Sequence, residues 1–368
     1  MKTIVVSAVN LNVGGTLTIL RECLAYLSEL AKHEEYHIVA LVHKKELAFY
    51  DNIEYIELSW PKKRWINRIW CEYVTMKRIS KELAPVYLWF SLHDTSPNVK
   101  AERQAVYCHN PFPFYQWKWR ELFFNYKIVL FAWFSYFIYR INIHQNKYVV
   151  VQQQWIRNKF IKMFSLNQED IIVAPPESLQ SVSFPSNIIS HREFYFFFPS
   201  SPNLHKNFEV FCEASRCLEE EVGKEVFQSF ITIEGSENRY AEWLKQKWGK
   251  VESLKFIGFM NRDKLYKYYK LSDCLVFPSK VETWGLPITE FMETGKPMLL
   301  ADLPYAHETA AGSKHTAFFP ATDAMALKNE MKRMLVGDYA GLGEVPQARL
   351  NPPSANSWKA LFDILLKE

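Results

Sequence analysis

The sequence predicts an α/β protein with two Rossmann-like, doubly wound domains. Short runs of β-branched and aromatic residues alternate with longer helical patterns, which is the rhythm of parallel sheets covered by helices on both faces. The chain has 368 residues, 48% of them apolar and 23% charged, enough for two domains with ordinary soluble cores. A polar stretch at residues 178–192, after Pro175-Pro176, shows neither the helical nor the strand period of hydrophobicity, and it separates the two halves of the chain.

The first half of the chain predicts seven strands and four helices. The strand candidates are residues 3–9, 36–42, 53–58, 86–90, 104–108, 148–152 and 171–174. The helix candidates are residues 15–32, 65–83, 121–141 and 155–164. The first apolar stretch is too short for a secretory signal, so we expect a cytoplasmic protein. The longest apolar run, residues 128–138, falls short of the ~20 residues that span a bilayer.

The second half repeats the same alternation. Strands are predicted at residues 194–198, 227–233, 254–257, 274–277, 297–300 and 317–319. Helices are predicted at residues 207–221, 239–248, 262–271, 286–294, 322–335 and 354–366, the last with Ser354 as its N-cap. We therefore expect an N-terminal domain at 1–185, a C-terminal domain at 186–350, and a last helix at 351–368 that packs back towards the N-terminal domain.

Ligands of doubly wound sheets bind beyond the carboxyl ends of the strands, and a distinctive motif lies in such a place. Glu282 and Glu290 stand eight positions apart after the strand at 274–277, and Gly285 and Pro287 shape the turn between them. Free N–H groups at a helix start suit a diphosphate, and carboxylates accept hydrogen bonds from sugar hydroxyls. For each Glu alone, a surface loop with a dipole-favourable carboxylate is the other explanation.

This segment resembles the retaining GT-B glycosyltransferases of family 4, also called group 1, whose signature is Glu, seven residues, Glu. The sequence reads Glu282-Thr283-Trp284-Gly285-Leu286-Pro287, then Glu290, then Thr294-Gly295-Lys296-Pro297. The resemblance implies an acceptor-binding and a nucleotide-sugar-binding domain that face a central cleft. It implies that Glu290 binds the donor ribose and that Glu282 acts in catalysis against the donor-sugar hydroxyls. Thr283, Trp284, Gly285 and Leu286 would then also contact the donor.

Lys206 is the predicted cation of the donor site. It stands at the predicted start of a helix, which is unfavourable with the helix dipole unless an anion such as a diphosphate is near. An exposed lysine is the alternative. Related enzymes often place an Arg about six residues earlier, where this chain has Ser200 and Ser201. A non-catalytic homologue that kept the fold therefore stays open as an alternative.

Three further loops are similar to donor-binding segments of the family. Gly235 follows a predicted strand, and Phe259 and Met260 stand in a segment that resembles the lining of the base pocket. Gly14 and Gly15 follow the first strand, where only glycines let a backbone approach a phosphate closely. The third Gly of the dinucleotide fingerprint is absent, so NAD binding is not expected. A plain turn would explain Gly235 equally well.

His109 is the second candidate catalytic residue. It follows the strand at 104–108, and the resemblance implies a His here close to the reacting sugar. It would orient the donor sugar or the acceptor hydroxyl, although a hydrogen-bonded structural His explains the position equally well. His93-Asp94, after the neighbouring strand, is a weaker candidate of the same kind.

The charge is unevenly distributed. Residues 60–147 hold 14 Lys/Arg and 5 Asp/Glu. The rest of the chain holds 30 Lys/Arg and 35 Asp/Glu. The aromatic excess lies in the same region, where Lys118, Arg120 and Lys127 interrupt an aromatic stretch at 112–139. This mixture suits a bilayer interface, so we expect peripheral association with an anionic membrane. Ordinary core helices are the alternative.

Other sequence patterns bear on disulfides, metals, cofactors and nucleic-acid partners. The six cysteines form no CxxC pair and no zinc spacing, which favours free thiols in a reducing compartment. The chain has no Asp-x-Asp pair for a metal–nucleotide complex, so we expect no metal and no other cofactor. Without an RNA- or DNA-binding motif, a nucleic-acid partner is not expected.

The function expected from the resemblance is a retaining, metal-independent hexosyltransferase (EC 2.4). The donor would be a GDP- or UDP-sugar and the acceptor a lipid-linked glycan of bacterial polysaccharide synthesis, such as lipopolysaccharide O-antigen or capsule. Domain closure would exclude water during transfer. A GT-B-fold sugar-nucleotide epimerase is the alternative enzyme.

Overall fold

The chain divides into two compact units. The computed structural model describes residues 1–33, 35–177, 193–347 and 349–367. Unit 1 comprises Met1–Asn110, Phe134–Glu177 and Leu350–Glu368, and unit 2 comprises Pro111–Trp133 and Ser178–Arg349. The predicted boundary at 185/186 lies outside the described residues. Residues 111–133, which the predicted boundaries assign to the N-terminal domain, cluster with unit 2.

The elements up to residue 177 follow the predicted alternation closely. The strands are β1 (Lys2–Ala8), β2 (Tyr36–Val42), β3 (Ile53–Glu57), β4 (Val86–Ser91), β5 (Arg103–Cys108), β6 (Tyr148–Val151) and β7 (Ile171–Val173). The helices are α1 (Gly14–Ala31), α2 (Trp65–Trp70), α3 (Met76–Glu82), α4 (Glu121–Arg140) and α5 (Gln154–Phe164).

The elements from residue 193 onwards repeat the pattern. The strands are β8 (Phe194–Phe198), β9 (Phe227–Ile231), β10 (Leu254–Phe256), β11 (Cys274–Phe277), β12 (Met298–Ala301) and β13 (Thr316–Phe319). The helices are α6 (Phe208–Val222), α7 (Arg239–Trp248), α8 (Arg262–Leu271), α9 (Leu286–Met292), α10 (Pro304–Thr309), α11 (Ala324–Leu335) and α12 (Trp358–Leu365). Helix α10 was not predicted, because its six residues are too few to show a helical period.

Each unit contains one parallel sheet. Within the described residues, the sheet of unit 1 has the strand order β3-β2-β1-β4-β5-β6-β7, and that of unit 2 has the order β10-β9-β8-β11-β12-β13. The strands are near-continuous apolar runs because helices cover both faces. The strand order reverses between β1 and β4 and again between β8 and β11. Ligands of such sheets bind at these switch points, beyond the carboxyl ends of the strands.

The last helix, α12, belongs to unit 1. Phe362 stacks on Tyr26 of α1 with ring centroids 5.4 Å apart and meets the edge of Phe90 at 5.7 Å. The predicted N-cap is wrong by three residues, since the Oγ of Ser357 accepts the Ala360 N–H at 3.1 Å. Ser354 instead pairs with the end of β7 through an isolated bridge, and this strand-like pairing keeps it out of the helix.

The single helix predicted at 65–83 is interrupted. A π-helical turn, Cys71–Thr75, separates α2 from α3, and Glu72 in this turn is only 3% exposed. Its carboxylate accepts hydrogen bonds from Arg68 at 2.8 Å and from the Thr95 hydroxyl at 2.7 Å. Single π-turns commonly mark functional or tightly constrained places in a helix. Here the turn buries a carboxylate that an amphipathic pattern would leave in solvent.

One helical segment in the described part of the chain, Glu121–Gln145, is long and apolar enough to cross a membrane by length and composition alone. From the sequence, the apolar run at 128–138 was judged too short to span a bilayer, and no spanning segment was predicted. Only 22% of its most apolar window is buried, and Asn125 breaks the helical geometry with φ −156° and ψ 84°. A core helix of a soluble protein can have the same length and composition.

Candidate active site

Lys206 and Glu282, 76 residues apart in sequence, meet at the switch point of unit 2. Their loops follow β8 and β11, which are neighbouring parallel strands and therefore end at the same edge of the sheet. Lys206 Nζ donates to Glu282 Oε1 at 2.6 Å, and the two side chains are 17% and 10% exposed. Lys206 lies in a 3₁₀ turn, Leu204–Lys206, and not at the start of α6 as predicted. The structure thus brings together the predicted cation and the first Glu of the motif.

Polar cross-links hold the backbone of the loop between β11 and α9, here called the donor loop (residues 278–285). The Asn207 side chain donates to the Pro278 carbonyl at 2.9 Å, and Tyr305 donates to the Ser279 carbonyl at 2.8 Å. The Thr309 hydroxyl donates to the Trp284 carbonyl. These partners come from loops and helices far away in sequence, so no local pattern predicted them. Their combined effect is to fix the backbone that presents Glu282.

The end of the donor loop is a tight turn. Gly285 has φ +97° and ψ 60° and is the N-cap of α9, whose first residue is Leu286. Glu282 and Thr283 are both buried, and Trp284 is half-buried. The predicted donor residues of this loop therefore form one compact turn, in which most side chains are shielded from solvent.

Glu290 lies on α9 beside two residues that the sequence analysis did not identify. Its Oε2 accepts a hydrogen bond from the Tyr269 hydroxyl at 2.8 Å, and Arg262 lies 3.8 Å from Oε1. Burial raises the pKa of Glu290, although the Tyr269 hydrogen bond and the Arg262 charge act in the opposite direction. The carboxylate is thus oriented by neighbours and takes up a proton more readily than a solvated Glu.

The other predicted donor residues of unit 2 lie after β9 and β10, the strands beyond β8. The carboxylate of Glu237 accepts the backbone N–H groups of Glu234, Gly235 and Ser236 at 2.6, 2.9 and 3.1 Å. The turn at Gly235 is therefore organised around a carboxylate of the chain itself. Phe259 is 89% exposed, whereas Met260 is 8% exposed and belongs to the core. Of these two, only Phe259 presents its side chain to solvent.

The position where related enzymes often carry an Arg has a structural role here. The Ser200 N–H donates to Thr232 Oγ1 at 2.8 Å, and the Thr232 hydroxyl donates back to the Ser200 carbonyl at 2.9 Å. This reciprocal pair ties the chain after β8 to the chain after β9. The Ser200 backbone is thereby used in holding the sheet edge together.

In unit 1, His109 is held by the neighbouring strand end. Its backbone N–H donates to Asp94 Oδ1 at 2.7 Å, and its Nε2 lies 3.7 Å from Asp94 Oδ2. Asp94 has φ +71°, an unusual backbone conformation for a residue with a side chain. Asp94 therefore orients the backbone and the ring of His109. Gly14 and Gly15 also lie in unit 1, exposed at the start of α1 after β1.

His93, the weaker candidate, is part of a buried hydrogen-bond network. Its Nε2 lies 3.1 Å from Ser7 Oγ and its Nδ1 lies 3.0 Å from Thr95 Oγ1. Burial lowers the pKa of His93, so the neutral ring is the favoured form. Because the ring is 1% exposed and links the ends of β1 and β4, it acts as a structural residue.

The described residues contain no group of three His, Cys, Asp or Glu side chains that could hold a metal ion. All six cysteines are free thiols, five of them buried. Burial raises the pKa of Cys71 to about 12, so this thiol stays protonated at neutral pH.

Comparisons with known proteins find glycosyltransferases. Residues 180–340 match the family described as glycosyl transferases group 1. An uncharacterised glycosyltransferase of Methanocaldococcus jannaschii is 35% identical over 73 residues, which cover 20% of this chain and 19% of that protein. The match thus spans about a fifth of the curated relative.

Solved structures share the fold over almost the whole chain. The apo form of the lipopolysaccharide outer core galactosyltransferase WaaB has a TM-score of 0.62 at 11% identity, over 99% of this chain and 98% of that one. A glycosyltransferase from Rickettsia africae has a TM-score of 0.65 at 16% identity, over 92% of this chain and 90% of that one. WaaG, a glycosyltransferase involved in lipopolysaccharide biosynthesis, has a TM-score of 0.64 at 14% identity, covering 92% and 93%. The chain therefore has the GT-B fold, and its residues 180–340 match the group 1 glycosyl transferases.

Proposed function

We propose that this protein transfers a hexose-type sugar from a GDP- or UDP-linked donor to a glycan acceptor, with retention of anomeric configuration and without a metal. The observation that carries the proposal is the contact between Lys206 and Glu282 at the switch point of unit 2. A partly buried cation and a buried carboxylate at this edge suit the two halves of a nucleotide sugar. The ammonium matches the diphosphate, and the carboxylate matches the sugar hydroxyls.

Bond making and breaking then need no protein nucleophile. The acceptor oxygen forms its bond to the anomeric carbon on the face from which the bond to the donor phosphate breaks. The acceptor proton moves to the departing phosphate oxygen, so the products are a glycoside and a nucleoside diphosphate. Lys206 stabilises the negative charge that develops on the diphosphate, and Glu282 positions the sugar. Glu290 accepts a hydrogen bond from the donor ribose, and His109 orients the donor sugar or the acceptor hydroxyl.

Calorimetric titration of UDP, GDP and ADP without metal tests the donor site. We expect one nucleotide to bind and Glu290→Ala to weaken it by about tenfold, because the lost hydrogen bond is made to a charged group. Glu293→Ala, an exposed position three residues further on, is the matched control and should bind as the wild type does. Wild-type protein that binds none of the three nucleotides would instead favour a non-catalytic homologue. Turnover that yields an epimerised sugar without transfer would favour the epimerase.

The proposed acceptor is lipid-linked, and the proposed location is the inner face of the cell membrane. Support comes from exposed apolar side chains interleaved with basic residues in both units. In unit 1 these apolar residues are Trp65, Ile66, Ile69, Trp70, Val74, Phe134, Phe137 and Ile141. In unit 2 they are Trp119, Phe123, Tyr126, Leu130 and Trp133. Large apolar side chains in such number on the surface mark an interaction site, and the basic neighbours favour anionic lipid over a neutral partner.

Sedimentation with vesicles of phosphatidylglycerol and phosphatidylcholine tests the membrane proposal. The double variant Ile66→Asp with Ile69→Asp should reduce the bound fraction several-fold, since both side chains are exposed on α2 and would carry like charges to an anionic surface. Phe49→Asp, at another exposed apolar position of unit 1, serves as the control and should bind normally. Wild-type protein that stays in the supernatant at low salt would contradict this part of the proposal.

A further inference from the structure

The segment Pro111–Trp133, here called the strap, carries a buried carboxylate into unit 2. Glu121 of the strap is buried. Its Oε2 accepts the Tyr115 hydroxyl at 2.7 Å and the Lys118 N–H at 3.1 Å. Its Oε1 receives Lys280 Nζ at 3.2 Å. The carboxylate therefore has partners on both oxygens, one of them a lysine of the donor loop.

Lys280 connects three parts of unit 2: the strap, the donor loop to which it belongs, and the loop after β8 that carries Lys206. Its Nζ also donates to Glu209 Oε1 at 3.1 Å and to the Leu204 carbonyl at 3.4 Å. Its backbone N–H donates to the His205 carbonyl at 2.7 Å. Leu204 and His205 immediately precede Lys206, and Lys280 stands two positions before Glu282. One side chain and its own backbone thus hold the two loops that contribute the ion pair of the candidate site.

The surroundings of Lys280 make this cross-link rigid. Lys280 is 15% exposed and lies between two carboxylates, those of Glu121 and Glu209, which are 2% and 12% exposed. Burial acts to raise the pKa of Glu209, but Lys280 and a hydrogen bond from Tyr240 outweigh it and lower the pKa. Charged hydrogen bonds shielded from water are strong when every partner is present, and costly when one is removed.

Aromatic contacts fix the strap at the same place. The His205 ring lies against the rings of Phe112 and Tyr115, with centroids 5.2 and 6.1 Å away. Burial, followed by the charges of Lys206 and Lys280, holds the pKa of His205 well below its usual range. His205 is therefore neutral and adds no third positive charge between the two lysines. Further along the strap, Phe124 packs on Trp243 at 5.2 Å.

We propose that Lys280 is a positioning residue of the donor site, which sets the spacing between Lys206 and Glu282 for a nucleoside diphosphate, and that Glu121 of the strap holds Lys280 in place. The inference rests on the proposed function, since it concerns the donor that Lys206 and Glu282 bind. Lys280 is not placed against the donor itself, because its ammonium is engaged by Glu121, Glu209 and a carbonyl oxygen. Its effect on the donor would pass through the backbone of the donor loop.

The test is calorimetric titration of UDP and GDP into wild type, Lys280→Met and Lys328→Met. Lys328 is a matched control, because it is 10% exposed and pairs with Glu221 at 2.7 Å in the same unit, through helices α11 and α6. We expect Lys280→Met to weaken nucleotide binding on the order of tenfold, the usual size of coupling through a packed network. Lys328→Met should lose thermal stability without a comparable loss of affinity. Lys280→Arg keeps the charge and should restore most of the affinity.

A double-mutant cycle tests the part played by the strap. Glu121→Gln is nearly isosteric and should itself weaken nucleotide binding. The double variant Glu121→Gln with Lys280→Met should bind no more weakly than Lys280→Met alone, because both changes break one connection. Fully additive losses would show that Glu121 does not act through Lys280.

The outcomes separate this inference from the proposed function. Wild-type protein that binds neither nucleotide removes the donor site, and the inference with it. If Lys280→Met binds nucleotide as tightly as the wild type, the positioning role is contradicted. The same holds if Lys328→Met weakens nucleotide binding as much as Lys280→Met does. Neither result contradicts the proposed function. If Lys280→Met does not fold, Glu121→Gln decides the question, and affinity equal to wild type in that variant overturns the proposal.

Discussion

At the scale of single residues, the backbone of Gly285 decides the shape of the donor loop. Its φ of +97° lies in the region that residues with a side chain avoid, and an added Cβ would come within 3.3 Å of Ile288 Cδ1. Gly285→Ala should therefore lower the free energy of unfolding by about 1–2 kcal/mol. It should also weaken nucleotide binding, because the strain would be relieved by movement of the loop that carries Glu282. Denaturant unfolding and nucleotide titration measure the two effects.

Gly337→Ala provides the control for this prediction. Gly337 also has a positive φ, +70°, but an added Cβ there would meet nothing within 4 Å, and it follows α11 in sequence. We expect a similar loss of stability and an unchanged nucleotide affinity. Equal weakening of binding by both variants would mean that global stability, and not the loop, limits binding.

At the scale of single elements, α12 stabilises unit 1 through one aromatic side chain. Phe362 is fully buried and contacts the rings of Tyr26 and Phe90. Phe362→Ala should cost about 3–5 kcal/mol of unfolding free energy, the usual range for a buried phenylalanine. Asp363→Ala, on the exposed face of the same helix, should change it by less than about 0.5 kcal/mol. A small effect of Phe362→Ala in denaturant unfolding would show that α12 is dispensable.

The elements themselves were largely predictable. Strands such as β2 and β8 agree with the prediction because a buried parallel strand is a short apolar run with clear ends. The interruption of the helix at 65–83 was not predictable, since its cause is the burial of Glu72 against Thr95 from another loop. The N-cap of α12 was misplaced for the same reason, because Ser354 is held in an extended pairing with β7. Local patterns do not contain such contacts.

At the scale of the whole molecule, two buried histidines predict loss of stability on mild acidification. Burial lowers the pKa of His93 in unit 1 and of His205 in unit 2 below the ordinary value of 6.5. In the unfolded chain both would titrate normally, so below about pH 6.5 the unfolded state binds more protons than the folded state. The contribution of each neutral ring is present above that pH and declines as the pH falls towards the folded pKa.

Unfolding free energies measured in denaturant between pH 7.5 and about 5 test this prediction. We expect the wild type to lose stability below about pH 6.5, and His205→Gln to show a shallower decline, since one proton-binding difference is removed. A slope equal to that of the wild type would show that His205 does not supply this difference. Glu290 contributes in the opposite direction, because burial raises its pKa above 4.5 and the folded state then binds more protons than the unfolded state.

The α/β fold class, the alternation of elements and the group 1 motif could all be predicted from the amino-acid sequence, because local apolar period and residue spacing encode these features. Which side chains meet depends on the assembled fold. Lys206 contacts Glu282 because β8 and β11 are neighbours in the sheet, an arrangement that strand order sets and spacing does not. Glu121 reaches Lys280 across 159 residues because the strap belongs to unit 2 and not to the domain that surrounds it in sequence. The linear sequence encodes local propensities. A pairing between residues that are distant in sequence exists only once the sheets and their loops have been assembled.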